Sequence, residues 1–360
     1  MSIRRCLAVV WIIMLAGPQV YAQATGARST NVYFSNKDKS IRFGGTLTIP
    51  ASRKSFPAVV LVSGTGKQDR DGTMAGHKMF KALADSLAAA GIAVLRTDDR
   101  GTGETNGVYE TATTRDFAND ALAAISFLRL QPGVRVTGLI GHSEGGAAAI
   151  IAAAESKEVA FVITLAGLAT TGIQALKLQN NAIIDAAPIS DYDKNRHRTI
   201  TTLMFDTAYR YAYTPELEPR LRATYNAWKH ADDSAYAKDK AGEADHMRFF
   251  LESYIRQATG PWYQCHLRYD PVPFLRQIKV PFLALNGNKD IMVPYKENLA
   301  TIETVLKENG NNQVTVKVLP GLNHLFLHCE SCTNSELPQL KGDFAPEAWT
   351  VISKWMQMFL

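Results

Sequence analysis

The chain is 360 residues long, 46% apolar and 20% charged, and carries 39 lysines and arginines against 34 aspartates and glutamates for a net charge of +5. That length and apolar content suffice for one large core carrying an insertion. So slight a basic excess, with no concentrated basic stretch, gives no ground for nucleic-acid binding.

The first residues have the pattern of an export signal. Arg4 and Arg5 supply positive charge, Leu7 to Ala16 an apolar core, and Val20-Tyr21-Ala22 a small-x-small cleavage site. Residues 1–22 are therefore expected to be removed, leaving a mature protein that begins near Gln23 and works in the periplasm or outside the cell. A membrane-spanning helix is the competing reading, but Gly17-Pro18 breaks the stretch and it is short for a hydrocarbon core of about 30 Å. Cys6 precedes the apolar core and no cysteine follows Leu15-Ala16-Gly17, which argues against a lipid anchor. No stable membrane insertion is expected after cleavage.

From Asn31 to Pro50 the pattern predicts two antiparallel strands joined around Asn36-Lys37-Asp38-Lys39, with Gly44-Gly45 as a candidate bulge. Ala58 to Val62 is a short apolar run, as expected of a strand covered on both faces. Helices and strands then alternate: a helix over Met79–Ala90, a strand over Ile92–Thr97, a helix over Arg115–Leu130 and a strand over Val134–Ile140. A helix opening near Ala147 and a strand over Phe161–Leu165 follow. This is the rhythm of a mostly parallel sheet with helices on both faces, an α/β class of fold. It stops after Gly167. Residues 168–275 hold no convincing strand and are broken by Pro188, Pro215 and Pro219, the pattern of a helical cap inserted between two strands. The rhythm resumes with a strand over Val280–Leu285, a helix over Tyr295–Asn309, a strand over Val314–Leu319 and a final helix over Pro346–Phe359. The expected organisation is thus a core of residues 23–167 and 276–360 with a cap of residues 168–275.

Three cysteines remain after cleavage. In an oxidising compartment Cys329 and Cys332 can close a small local disulfide. A zinc site needs about four ligands and only His324 and His328 lie nearby, so metal binding is the weaker reading, and a redox pair weaker still. Cys265 is left over, most simply as a buried free thiol.

The chemistry-bearing segment is Gly141-His142-Ser143-Glu144-Gly145-Gly146, which stands between a predicted strand and a predicted helix. G-x-S-x-G in that context places its serine on a sharp turn at the top of a parallel sheet, where glycines on either side make room for the backbone. A serine hydroxyl is a weak nucleophile and needs a base, which in turn needs an orienting partner. Asp290 follows one predicted strand and His324 another, both at the carboxyl ends where sites assemble in open α/β sheets. The order Ser143, Asp290, His324 is the one this architecture requires. His142 is expected to point away from the site, and His77, His197, His230, His246, His266 and His328 lack the placement of His324. Backbone N–H groups of Glu144 and Thr65 are the expected oxyanion donors, with Gly64 an alternative to Thr65. The Ser63-Gly64-Thr65-Gly66 loop is no phosphate cradle, because no Gly-Lys-Ser/Thr opens a helix there.

With these segments the chain resembles the α/β-hydrolase fold family, and within it exported bacterial serine hydrolases of the dienelactone-hydrolase and prolyl-oligopeptidase-like branch. The matching residues are 63–72, with Gln68-Asp69-Arg70-Asp71, Asp98-Asp99-Arg100-Gly101-Thr102-Gly103, 141–146, 286–294 and 322–326. The resemblance implies a hydrolase without cofactor or metal, with a cap over its site. Ser63 departs from the histidine that many relatives carry, and Cys329-Glu330-Ser331-Cys332 is a second departure. The charged residues between Asp69 and Arg100 are expected to hold loops together rather than bind substrate; Trp262, Tyr263 and Phe274 line an acyl pocket or pack the core. The expected activity is cleavage of a small-molecule ester through an acyl-enzyme on Ser143. A peptidase on the same residues and a non-catalytic binding protein of the same fold are the alternatives.

Overall fold

A computed structural model describes residues 26–51 and 53–360; the expected signal segment lies outside the described residues. Eight strands form one sheet: β1 (Arg28–Ser35), β2 (Arg42–Ile49), β3 (Phe56–Val62), β6 (Ala93–Thr97), β7 (Val134–His142), β8 (Phe161–Leu165), β9 (Phe282–Gly287) and β10 (Val314–Leu319). Their order across the sheet is β1-β2-β6-β3-β7-β8-β9-β10. The pairs β1–β2 and β2–β6 are antiparallel and the rest parallel. A two-stranded hairpin, β4 (Thr73–Met74) and β5 (His77–Lys78), is too short to leave a periodic signal in the sequence.

Sequence dictates which strands are central. All residues of β3, β8 and β9 are buried, as their largely apolar runs require, whereas β1 at the sheet edge is mostly exposed. Gly44 and Gly45 pair in unbroken register with Tyr33 and Val32, so no bulge forms there. The register shift falls instead between Phe56 and Pro57, where β3 meets β7.

The core helices are α1 (Met79–Ala89), α2 (Thr114–Arg129), α3 (Glu144–Glu155), α10 (Tyr295–Glu308) and α11 (Pro346–Met356). Helix α2 starts with a capping box, in which Thr113 and Asp116 satisfy each other's backbone N–H groups. Glycines, alanines and two isoleucines fill α3, and residues Glu144 to Ala152 are all buried.

Between β8 and β9 run six helices: α4 (Gly172–Ala186), α5 (Asp191–Tyr211), α6 (Leu217–Asp239), α7 (Leu251–Ala258), α8 (Pro261–Arg268) and α9 (Val272–Leu275). Helices α5 to α8 build a separate apolar cluster on Ile200, Met204, Leu221, Ile255 and Leu267, with α4 packed against it, while α9 packs on the sheet core. The buried Arg196 bonds both Asp232, at 2.7 Å, and Asp245, at 2.7 Å, and so ties α5 to α6 and to the segment after it. The amide of Gly172 donates to the carbonyl of Tyr269 at 2.9 Å, closing the insertion where it leaves and rejoins the sheet.

The charged loops at the carboxyl ends of β3 and β6 pair with each other, with β6 and with helix α2. Arg70 binds Asp98 and Glu104, Arg96 binds Asp71, and Arg100 binds Asp120. Ser63 donates to Asp99, which also accepts from the amide of Gln68 at 2.8 Å. Burial raises the Asp99 carboxyl to about 7 against these two bonds, with the Asp120 and Glu144 charges adding to the rise.

The folded state therefore holds a proton on Asp99 that the unfolded chain, titrating near pH 4, has released. Stability from this group is present below about pH 4 and is lost as the pH rises toward 7. Asp99→Asn removes the titration. Thermal melts of variant and wild type should show the variant's relative Tm climbing between pH 4 and pH 8; a constant difference would contradict the assignment.

Candidate active site

Ser143 sits at the end of β7 with φ 56° and ψ −121°, a conformation that costs an ordinary residue free energy and persists only where the surroundings impose it. The surroundings are the close approach of the turn to its neighbours. A Cβ on Gly141 would lie 2.1 Å from the carbonyl oxygen of Gly145, and one on Gly145 would lie 2.2 Å from that of Val62. Ser143 N donates to Leu165 O at 2.9 Å, and Ser143 O accepts from Gly146 N at 3.0 Å and Leu168 N at 3.2 Å. These bonds hold the side chain at the mouth of the sheet, where it is half-buried.

His324 and Asp290 come from the loops after β10 and β9. Asp290 Oδ2 accepts from His324 Nδ1 at 2.8 Å, while Asp290 Oδ1 accepts from the amides of Met292, at 2.8 Å, and Val293, at 2.9 Å. Three bonds fix a buried carboxylate and with it the histidine tautomer, leaving Nε2 as the basic nitrogen. Asn323 braces the other side of the loop by accepting from Leu325 N at 3.0 Å and Leu327 N at 3.1 Å. Ser143 and His324 face one cavity of about 460 Å³. No hydrogen bond joins Ser143 Oγ to His324 in this structure, and such links commonly tighten only around substrate.

Contrary to the expectation from its position beside Ser143, His142 does not point away from this group. Its ring lies 4.6 Å from that of His324, and its Nε2 donates to the His324 carbonyl at 2.9 Å. Burial, reinforced by the neighbouring His324, pushes its pKa down to about 3, so it serves as a neutral strut. His328 instead pairs with Glu347 at 2.5 Å on the surface.

Gly64 stands directly against the nucleophile candidate, since a Cβ there would lie 2.9 Å from Ser143 Cβ. The next residue, Thr65, donates from Oγ1 to Glu144 Oε2 at 2.7 Å. Glu144 is 1% exposed, and its carboxylate accepts two further bonds, from Thr114 Oγ1 at 2.6 Å and from Trp262 Nε1 at 2.7 Å. This one side chain thus joins the loop after β3, helix α2 and helix α8 of the insertion. Neither the G-x-S-x-G pattern nor any periodicity marks that role, because its partners are distant in sequence.

Trp262 and Tyr263 line the cavity; Phe274 does not, and packs instead against the core beneath the Arg115 guanidinium. His266 lies parallel to the Trp262 ring, centroids 5.0 Å apart, and burial lowers its pKa. It had no strand-end placement to mark it. Gln179 Nε2 donates to Met292 O at 3.1 Å and joins α4 to the loop that carries Asp290. Cys329 and Cys332 form a disulfide, and Cys332 reaches the cavity wall. Cys265 is unpaired but only half-buried, rather than enclosed as the sequence led us to expect. No Asp, Glu, Lys or Arg side chain is among the residues lining the cavity.

A family profile described as serine aminopeptidase, S33, matches residues 70–213. That span includes Ser143 but ends before Asp290 and His324. Esterase EstD of Thermotoga maritima is 25% identical over 325 residues, covering 90% of this chain and 68% of that protein. A non-heme haloperoxidase of Rhodococcus erythropolis is 25% identical over 247 residues, covering 66% of this chain and 77% of that one. Among solved structures, the Pyrococcus furiosus esterase Pf2001 superposes with a TM-score of 0.54 at 14% identity, covering 92% of this chain and 91% of the other. Est1E of Butyrivibrio proteoclasticus with bound ferulic acid gives 0.50 at 16% identity, covering 91% and 98%. At such identities the structural likeness speaks for the fold: an α/β-hydrolase sheet with helices on both sides.

Glu144→Ala leaves two hydroxyls and an indole N–H without their acceptor, a loss of about 1–3 kcal/mol in stability. It also frees Thr65 from its place beside Ser143. Steady-state kinetics should show kcat falling roughly 10- to 100-fold, with Glu144→Gln, which keeps one acceptor oxygen, falling less. Equal loss in both variants would show that the hydrogen bonds are not what matters.

Proposed function

We propose that this member of the α/β-hydrolase family is an exported carboxylesterase that forms an acyl-enzyme on Ser143. The observation that carries the reading is the 2.8 Å bond between His324 Nδ1 and Asp290 Oδ2 beside a cavity shared by His324 and Ser143. In this reading His324 Nε2 takes the Ser143 proton as Oγ attacks the ester carbonyl, and Asp290 stabilises the imidazolium that results. The oxyanion is met by the backbone N–H groups of Thr65 and Glu144, the latter at the positive end of α3. Collapse of the tetrahedral species breaks the bond to the alcohol oxygen, which leaves with the proton from Nε2. Water then attacks the acyl-enzyme by the same route, releasing the acid and restoring the Ser143 hydroxyl. No cofactor or metal is needed for these steps. The helices of residues 168–275 act as a cap, since Trp262, Tyr263, His266 and Gln179 wall the cavity from that side.

Peptide cleavage is the second reading, favoured by the description of the matching family profile. An aminopeptidase must hold a free α-ammonium group, which calls for a carboxylate in the cavity wall. The lining has none, and the Glu144 carboxylate beneath it already accepts three bonds. An uncharged ester suits this cavity better. The Thermotoga esterase relative points the same way.

Ser143→Ala should fold normally and lose at least about 10³-fold in kcat/KM toward short-chain aryl esters, while wild type turns over esters in preference to amino-acid arylamides of similar size. Retained esterase activity in the variant, or arylamides cleaved faster than esters, would overturn the proposal. For export, mass spectrometry of protein recovered from the cell envelope should find a first residue near Gln23; an intact Met1 terminus would contradict it.

A further inference from the structure

One polar side chain on the cavity wall has nothing to bind. Gln68 is 7% exposed and lines the cavity with Ser143; neither end of its amide is hydrogen-bonded, and since Nε2 is wholly enclosed it is the Oε1 end that lies open to the cavity. Its main chain, by contrast, is fixed on both sides: N donates to Asp99 Oδ2 at 2.8 Å and O accepts from Asp99 N at 3.1 Å. Buried amides are almost always satisfied within a fold, because an unmade bond costs more than a made one contributes. The other fully enclosed unpaired atom on this wall, Asn323 Nδ2, belongs to a side chain whose oxygen already braces the His324 loop. Gln68 has no such structural work for its side chain.

We infer that the Gln68 amide is a specificity determinant that binds an uncharged oxygen group, a hydroxyl or carbonyl, on the substrate. The inference rests on the ester-cleaving reading above and adds the substrate class. Turning the amide by half a rotation about its last bond presents either its NH2 donors or its carbonyl acceptor to the cavity, so a hydroxyl meets it in either sense. A charged group is disfavoured, since no side chain of opposite charge lines the wall to offset its desolvation. A plain alkyl chain fills the apolar part of the cavity, beside Leu176, Met292 and Leu337, but leaves the amide unpaired. A site built to hydrogen-bond its substrate rejects the analogue that lacks the group.

The test compares esters matched in size: an alkyl ester, one with a hydroxyl on the acyl chain, and one with a hydroxyl on the alcohol. Wild type should favour one hydroxylated ester by about tenfold or more in kcat/KM, and the arm that shows the preference tells which half of the ester meets Gln68. Gln68→Leu and Gln68→Met should each erase that ratio, mainly through KM. A wild type without preference, or variants in which all three esters fall together, would overturn the inference while leaving the esterase reading intact. Failure of wild type to hydrolyse any ester would sink both.

Discussion

The turn at Ser143 is the constraint on which the site depends. Its unfavourable backbone angles are imposed by the close approach of α3 to β7 at position 141 and to the end of β3 at position 145, contacts that only hydrogen can fill. The second of these contacts sets the spacing between Ser143 and the loop after β3, so the nucleophile candidate and the residues expected to meet the oxyanion are placed by one packing event. Strain of this kind is supported by the rest of the fold, here by a central sheet whose strands β3, β8 and β9 are wholly buried.

A buried carboxylate then extends that rigidity outward. Glu144 accepts bonds from the loop after β3, from α2 and from α8, so the insertion is seated through the residue next to Ser143. All three donors are neutral, and a desolvated carboxylate is tolerable only when its oxygens are satisfied in this way. The shape of the cavity and the placement of Thr65 are therefore linked. Changes to Trp262 act on both.

Much of this was legible in the sequence, for identifiable reasons. A strand such as β8 was marked by an unbroken apolar or β-branched run bounded by turns, and the loss of that rhythm after Gly167 marked the six helices of the insertion. The contact between Asp290 and His324 follows from two loops leaving adjacent parallel strands on the same edge of the sheet. What escaped was long-range and chemical rather than periodic. The β4–β5 hairpin is two residues per strand, and Gly44-Gly45, read as a bulge, pairs regularly. The inward turn of His142 and the bond from Trp262 to Glu144 join side chains more than a hundred residues apart, and His266, stacked on Trp262 within α8, lines the cavity only because that helix packs over the site. Gln68 stood in plain view within a charged loop, but only the folded cavity separates its idle amide from the ion pairs around it.

The account as a whole stands on Ser143 being an activated nucleophile. Reaction of the protein with a fluorophosphonate, followed by peptide mass spectrometry, addresses that directly. The account predicts one adduct per chain, on the peptide that contains Ser143, and a loss of labelling when His324 is replaced by alanine. An unlabelled Ser143, or an adduct on another residue, would contradict it.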